Sequence, residues 1–157
     1  MTIDSQSPAP EWETTRWFGG PPQTLAGLRG KVVALEVFQL LCPGCVHHGL
    51  PQAQRIAQTF DSEQVAVVGL HSVFEHHEAM GPEVLEAFLS ENRITFPVGV
   101  DTPGDGSLPR TMERYGLQGT PSLLLYRRSG HLERVFFGQV DDLRLGAEIG
   151  RLMLLAD

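Results

Sequence analysis

Cys42 and Cys45 are the two cysteines of the chain, and Pro43 and Gly44 separate them. Two thiols at this spacing can form an intrachain disulfide and be reduced again, or they can supply two ligands to a metal ion. In thiol–disulfide exchange the attacking group is a thiolate, so one thiol must ionise near neutral pH. The start of a helix favours an anion, because its peptide dipoles and free N–H groups point towards it. The chemistry therefore depends on where the helix begins.

The residues on either side of the cysteines predict a helix start at this point. Val32–Leu41 is a largely apolar run rich in β-branched residues that stops at the cysteines, as expected for a strand buried on both faces. A helical pattern follows, with Pro43 in its first turn, where a helix tolerates proline best. We therefore predict that Cys42, at the helix start, is the nucleophile and that Cys45, deeper in the helix, resolves the mixed disulfide.

Glu36 places a carboxyl group inside the apolar strand, six residues before Cys42. Burial raises the pKa of a carboxyl group, and a proton acceptor tuned in this way suits Cys45, which must lose its proton before it can attack. Hydrophobic periodicity does not show how exposed a residue is, so an acid at a partly exposed site is the alternative interpretation. We predict the catalytic role.

Histidines lie close to the predicted site on both sides. His47 and His48 follow the cysteines, and His71, His76 and His77 follow a second apolar run. They could tune the dithiol or bind a metal, although exposed loop histidines need neither role. A structural zinc site takes four ligands, usually with a second Cys or Cys/His pair, and this chain has no further cysteine. We therefore predict redox chemistry and no metal, with a metal-binding or interaction module as the less favoured alternative.

The rest of the chain alternates between strand and helix patterns. We predict strands at 11–18, 65–71 and 96–100, a helix from Cys45 to about Phe60 that Pro51 kinks, a helix from Pro82, a helical turn at 112–115 that ends at Gly116, a hairpin of 122–128 with 132–138, and a last helix from Val140. This order predicts an α/β fold with a mixed central sheet and helices on both faces.

Length and composition indicate one domain. A chain of 157 residues is long enough for one core and too short for two ordinary ones. Residues 1–11 are polar and contain prolines, which predicts a flexible tail, and 12–157 form the domain. The net charge of -7 argues against a nucleic-acid groove or an anionic membrane surface as the main partner.

Two further patterns are missing from the sequence. No apolar stretch approaches the ~20 residues that a membrane span needs. The first residues lack the positive charge and the apolar centre of a secretory signal. We therefore expect no membrane span and a cytoplasmic location.

Two stretches carry a resemblance to a known family. LRGKVVALEVFQLLCPGC is similar to the leucine, Gly-Lys pair, apolar strand and Cys-x-x-Cys of the TlpA/ResA-type thiol-disulfide oxidoreductases in the thioredoxin superfamily. YGLQGTPSLLLY resembles their second signature, a tyrosine-glycine helix end followed by Gly-Thr-Pro and a strand. The similarity begins at about Trp17. The chain departs from the pattern at Leu41, where an aromatic residue is usual, in its Pro-Gly order, and at Pro51, which comes one residue late.

The resemblance implies a thioredoxin-like fold whose redox centre is the Cys42–Cys45 disulfide, with no other cofactor. It also implies a cis Thr120–Pro121 bond packed against the dithiol, which would leave the Thr120 backbone free to pair with an extended substrate. Thioredoxins carry a buried acid at the position of Glu36. The substrate-binding residues that the resemblance implies are Pro43, Gly44, Thr120 and Pro121.

The predicted function is disulfide exchange with a protein or small-thiol substrate, followed by resetting through an unidentified reductant or oxidant. A peroxiredoxin-like thiol peroxidase, which shares the fold, is the alternative. That family has a threonine three residues before its reactive cysteine, in a loop led by proline. Gln39 stands at this position here and no proline precedes it, which argues against a peroxidase pocket.

Overall fold

The structure, a computed structural model, describes residues 3–157. Its strands are β1 (Thr14–Phe18), β2 (Val32–Phe38), β3 (Val65–His71), β4 (Val98–Asp101), β5 (Ser122–Tyr126) and β6 (Leu132–Phe137). Its α-helices are α1 (Leu50–Thr59), α2 (Pro82–Glu91), α3 (Arg110–Tyr115) and α4 (Asp142–Met153). A π-helical turn, Cys45–Gly49, leads into α1, and short 3₁₀ turns lie at Ala26–Leu28 and His77–Ala79.

The strands of the described residues form one sheet in the order β1-β4-β3-β2-β5-β6. β2, β3 and β4 are parallel neighbours, whereas β1, β5 and β6 each pair antiparallel. This is the predicted mixed α/β sheet. Parallel strands end at the same edge, so the carboxyl ends of β2 and β3 meet where the two cysteines follow.

Side chains of β2 alternate between two buried layers. Val32, Ala34 and Phe38 point into a core shared with α1, α2 and α4. Val33, Leu35 and Val37 point into a second core, closed by Trp12, Leu25 and Tyr115 of α3. Every residue of β2 is buried, because helices cover both faces of the sheet. By the same alternation, the Glu36 side chain points to the same face of the sheet as Val32, Ala34 and Phe38. The helix that carries the two cysteines, here called the dithiol helix, lies on this face.

Several element boundaries differ from the predictions. The predicted strand at 11–18 begins at Thr14, and the predicted strand at 96–100 is displaced to Val98–Asp101. The predicted helix after Cys45 is not uniform, because a π-turn occupies its first five residues and Pro51 lies in the first turn of α1. The chain is already helical at Gly49, so the helix continues from the π-turn and the N–H that Pro51 lacks is missing inside it, not at a free helix start.

The packed part of the chain begins before the predicted boundary at residue 12. Ala9 is buried, and its N–H donates to the Gly130 carbonyl at 3.0 Å. The Glu11 carboxylate accepts the N–H groups of Leu25 and Ala26 at 2.7 and 2.9 Å. These contacts tie the segment before β1 to the domain, so the predicted tail of 1–11 is too long at its end. Residues 1 and 2 lie outside the described part.

Among residues 3–157, no helix combines the length and the apolar character needed to cross a membrane.

Candidate active site

Cys42 and Cys45 lie at the edge of the sheet, where β2 gives way to the dithiol helix. Cys42 is half-buried, whereas Cys45 is completely buried. The Cys45 N–H donates to the Cys42 sulfur at 3.3 Å, and this sulfur lies 3.5 Å from the Thr120 carbonyl oxygen. The more accessible sulfur thus receives a helix-start N–H, which stabilises a thiolate.

Cys45 has the opposite electrostatic environment. Burial raises the pKa of its thiol far above the usual value, and the neighbouring Cys42 raises it further. Hydrogen bonds from the Gln39 backbone and the Thr120 side chain act against this shift without cancelling it. Cys45 therefore holds its proton at neutral pH and needs a base before it can react.

Glu36 is buried on β2 between Gly69 of β3 and Leu123 of β5. Its Oε1 atom has no hydrogen-bond partner among the described residues. Burial raises the pKa of this carboxyl group well above its usual value, and the negative charge of Cys42 raises it further. The prediction that Glu36 is buried is therefore confirmed, and its catalytic role stays a prediction.

Pro121 packs against the helix that carries the dithiol. The Thr120–Pro121 peptide bond is cis, as the resemblance implies. A Cβ atom added to Gly44 would lie 3.2 Å from Pro121 Cδ, so the glycine of Cys-Pro-Gly-Cys lets the two segments approach. After Pro121, β5 pairs with β2, with Ser122 opposite Val37. The structure thus brings the two cysteines, Gly44, Thr120–Pro121 and Glu36 into one region, and Pro43 lies there as an exposed residue between Cys42 and Gly44.

The histidines separate into different environments. His71 belongs to β3 and is buried, with its ring 5.2 Å from the Phe38 ring and its Nε2 atom unpartnered among the described residues. Burial lowers the pKa of His71 to about 4. His47, His76 and His77 are exposed. Within 3–157, no three His, Cys, Asp or Glu side chains are grouped so that they could hold a metal ion.

Sequence reasoning missed two residues that support the dithiol segment. Gln39 is buried, and its amide accepts the Phe74 N–H at 3.1 Å and donates to Glu75 at 3.3 Å. The Met80 sulfur accepts the N–H of Leu41 at 3.4 Å, one residue before Cys42. The sequence held a signal for Gln39, because a glutamine inside the apolar run VFQLLC is unusual. It held no signal for Met80, because a methionine is usually an ordinary core residue.

Comparisons with known proteins agree with this geometry. A crystal structure of a thioredoxin-like superfamily protein is 57% identical, covers 95% of this chain and 97% of its own, and superposes with a TM-score of 0.94. A crystal structure of a thiol-disulfide isomerase from Corynebacterium glutamicum is 50% identical, with 93% and 96% coverage and a TM-score of 0.91.

A curated relative is more distant. Sporulation thiol-disulfide oxidoreductase A of Bacillus subtilis (strain 168) is 26% identical over 110 residues, or 70% of this chain. The matched region spans 61% of that relative's length. No family model matches the chain. On the near-complete coverage of the two crystal structures and the shared fold, the chain belongs to the thioredoxin-like superfamily, among its thiol-disulfide oxidoreductases.

Proposed function

We propose that the chain exchanges disulfides with a protein substrate through Cys42 and Cys45, and that Glu36 is the base for the second step. The observation that carries the proposal is the contrast between the two thiols. Cys42 is accessible and receives a helix N–H, whereas Cys45 is buried and has a raised pKa. One thiol is suited to attack a substrate and the other to stay protonated until it is needed.

In the reductive direction, the Cys42 thiolate attacks one sulfur of a substrate disulfide. A mixed disulfide forms and the first substrate thiolate leaves. Glu36 then takes the proton of Cys45, and the Cys45 thiolate attacks the Cys42 sulfur. The second substrate thiolate leaves, so the substrate gains two electrons and the chain holds a Cys42–Cys45 disulfide. The oxidative direction is the reverse.

The charge of Cys42 gives these steps an order. While Cys42 is a thiolate, its charge helps to keep Glu36 protonated. That charge disappears in the mixed disulfide, which removes one of the two causes that raise the pKa of Glu36 and leaves burial as the other. Ionisation of Glu36 is therefore more favourable at the resolving step than before the first attack.

A protein substrate is favoured by the apolar surface beside the dithiol. Leu41, next to Cys42, is 57% exposed, and Phe137 is 52% exposed. Phe137 lies against Gly119, where an added Cβ atom would be 3.3 Å from its ring, so it borders the Thr120–Pro121 segment. Large apolar side chains exposed around a reactive group are typical of surfaces that bind protein.

The roles of the cysteines are tested with Cys42→Ser and Cys45→Ser. We expect Cys42→Ser to abolish exchange and Cys45→Ser to accumulate mixed disulfides through Cys42, measured by mass spectrometry. Iodoacetamide at pH 7 should modify Cys42 before Cys45 in the reduced protein. Faster alkylation of Cys45 would contradict the assignment.

The reduction potential of the Cys42–Cys45 couple tests the direction of electron flow. A potential of about −270 mV would indicate a reductant, and one of about −120 mV would indicate an oxidant. Equilibration with glutathione buffers of known ratio gives the value.

A further inference from the structure

Gly49 ends the π-turn, and its backbone does not require glycine. Its φ of -61° and ψ of -54° are ordinary right-handed helical values that every residue adopts. Glycine is the poorest helix former after proline, so alanine would be preferred here if space allowed it. The atoms that surround residue 49 therefore explain why glycine occupies this position.

The space beside the Gly49 Cα atom is filled by Glu36. A Cβ atom added to Gly49 would overlap the Glu36 Oε1 atom and would lie 3.0 Å from Pro121 Cβ. Two helical glycines of α4 differ in this respect, because a Cβ atom at Gly146 or Gly150 would meet none of residues 3–157 within 4 Å. Gly49 is thus in contact with the carboxyl group that we propose as the base.

The Glu36 Oε1 atom is held by van der Waals packing and not by hydrogen bonds from the described residues. Gly49 is its neighbour on the helix side. The Cβ position of Gly49 that this oxygen fills also lies 3.0 Å from Pro121 Cβ. The π-turn sets which residue faces β2 at this level, because a π-turn holds one more residue than an α-turn. An α-helical turn of the same sequence would present a different residue to Glu36.

We infer that Gly49 is a positioning residue: its missing side chain lets the Glu36 carboxyl group lie between the π-turn and Pro121, where it serves the resolving step. The inference rests on the proposed role of Glu36 as the base for Cys45. A side chain at residue 49 would push the carboxyl group away from this place and leave the cysteines themselves unchanged.

The direct test is Gly49→Ala, with Gly150→Ala as the matched control in a helix with open space. We expect the first attack by Cys42, followed with a chromogenic aromatic disulfide, to stay within about twofold of the unmodified protein. The resolving step should slow by ~10-fold or more, towards the loss of ~10²-fold expected for Glu36→Gln, which is the scale of a lost general base. Gly150→Ala should change neither rate. An unchanged resolving step in Gly49→Ala would overturn the inference.

A second pair of variants separates positioning from general damage. Glu36→Asp shortens the acid by one methylene group and makes room for a methyl group at residue 49. Combined with Gly49→Ala it should restore part of the resolving rate and its dependence on pH. Gly49→Ala combined with Glu36→Gln should be no slower than Glu36→Gln alone, because the base is already absent. No recovery with Glu36→Asp, or additive losses with Glu36→Gln, would contradict the inference.

The same variants distinguish a folding defect in Gly49→Ala, a failure of the proposed role of Glu36 and a failure of the inference about Gly49. If Gly49→Ala does not fold, the expected result is that Glu36→Asp restores its thermal melting transition, since both act on one contact. Failure of that restoration would overturn the inference. If Glu36→Gln resolves at the normal rate, the proposed role of Glu36 fails. If Glu36→Gln is slow but Gly49→Ala is not, the inference about Gly49 fails by itself.

Discussion

Among the residues that the structure describes, two carboxyl groups are buried, and their surroundings differ. Asp101, at the end of β4, accepts hydrogen bonds from the Ser72 hydroxyl at 2.9 Å and from the N–H groups of Thr111 and Met112 at 2.8 and 3.1 Å. Glu36, in the middle of β2, has an Oε1 atom that accepts no hydrogen bond from any residue in 3–157. Burial raises the pKa of both groups, but at Asp101 the hydrogen bonds oppose the rise.

The comparison separates a structural acid from one suited to chemistry. Asp101 satisfies the first N–H groups of α3 and joins this helix to β3 and β4, so its carboxylate is committed as an acceptor. Glu36 accepts fewer hydrogen bonds, and the charge of the neighbouring Cys42 influences its pKa. Its protonation can therefore change when Cys42 reacts. An unpartnered buried acid beside a reactive group is therefore the better candidate for proton transfer.

The largest expected effect is on the resolving step in Glu36→Gln. Glutamine keeps the shape of the side chain but cannot accept a proton, so resolution should slow by ~10²-fold or more near pH 7, while the first attack by Cys42 persists. Stopped-flow measurement of mixed-disulfide decay checks this. Normal decay would make Glu36 a structural residue like Asp101 and remove the distinction.

The stability of the same variant gives a second readout. A carboxyl group with a raised pKa stabilises the fold below its unfolded pKa, about 4.5 for Glu36, and this stability is lost as the pH rises towards the folded value. Glu36→Gln should therefore gain in stability relative to the unmodified protein between pH 5 and pH 8. Urea unfolding at both pH values measures the difference. A relative loss over this interval would contradict the raised pKa.

His71 extends the comparison to a buried base, whose Nε2 atom also has no hydrogen-bond partner in the described part of the chain. Its pKa is lowered from 6.5 to about 4, so the unfolded chain binds its proton first as the pH falls. Stability is then present above pH 6.5 and is lost as the pH falls towards 4, by about 2 kcal/mol between pH 7 and pH 5. His71→Leu should remove this loss. Parallel stability curves for the two proteins would show that His71 titrates normally.

The smallest expected effect is on stability in Asp101→Asn. The amide keeps one acceptor oxygen and replaces Oδ2 with a donor. The Ser72 hydroxyl can turn to accept from this donor, but the Met112 N–H loses its acceptor. We expect a loss of about 1 kcal/mol in the free energy of unfolding, the usual scale of one hydrogen bond. The rates of both exchange steps should be unchanged. A slower resolving step would place Asp101 in the chemistry and break the comparison.

Local sequence was sufficient for most of the architecture. The β-branched run of β2 and the apolar spacing of Leu145, Ile149 and Leu152 in α4 predicted these elements, because periodic burial leaves a periodic pattern. Boundaries were less well predicted. The displacement of β4 to Val98–Asp101 follows from its pairing with β1 and β3, which short-range pattern does not contain.

The sequence by itself determined the dithiol, its place between a buried strand and a helix start, and the acid within that strand. These depend on residues close together in the chain, where spacing fixes geometry. Only the tertiary structure decided that His71 is enclosed against Phe38 and that Gly49 meets Glu36 across the core. Such contacts join distant segments, and desolvation depends on every atom around a group, so no pattern within one segment contains them.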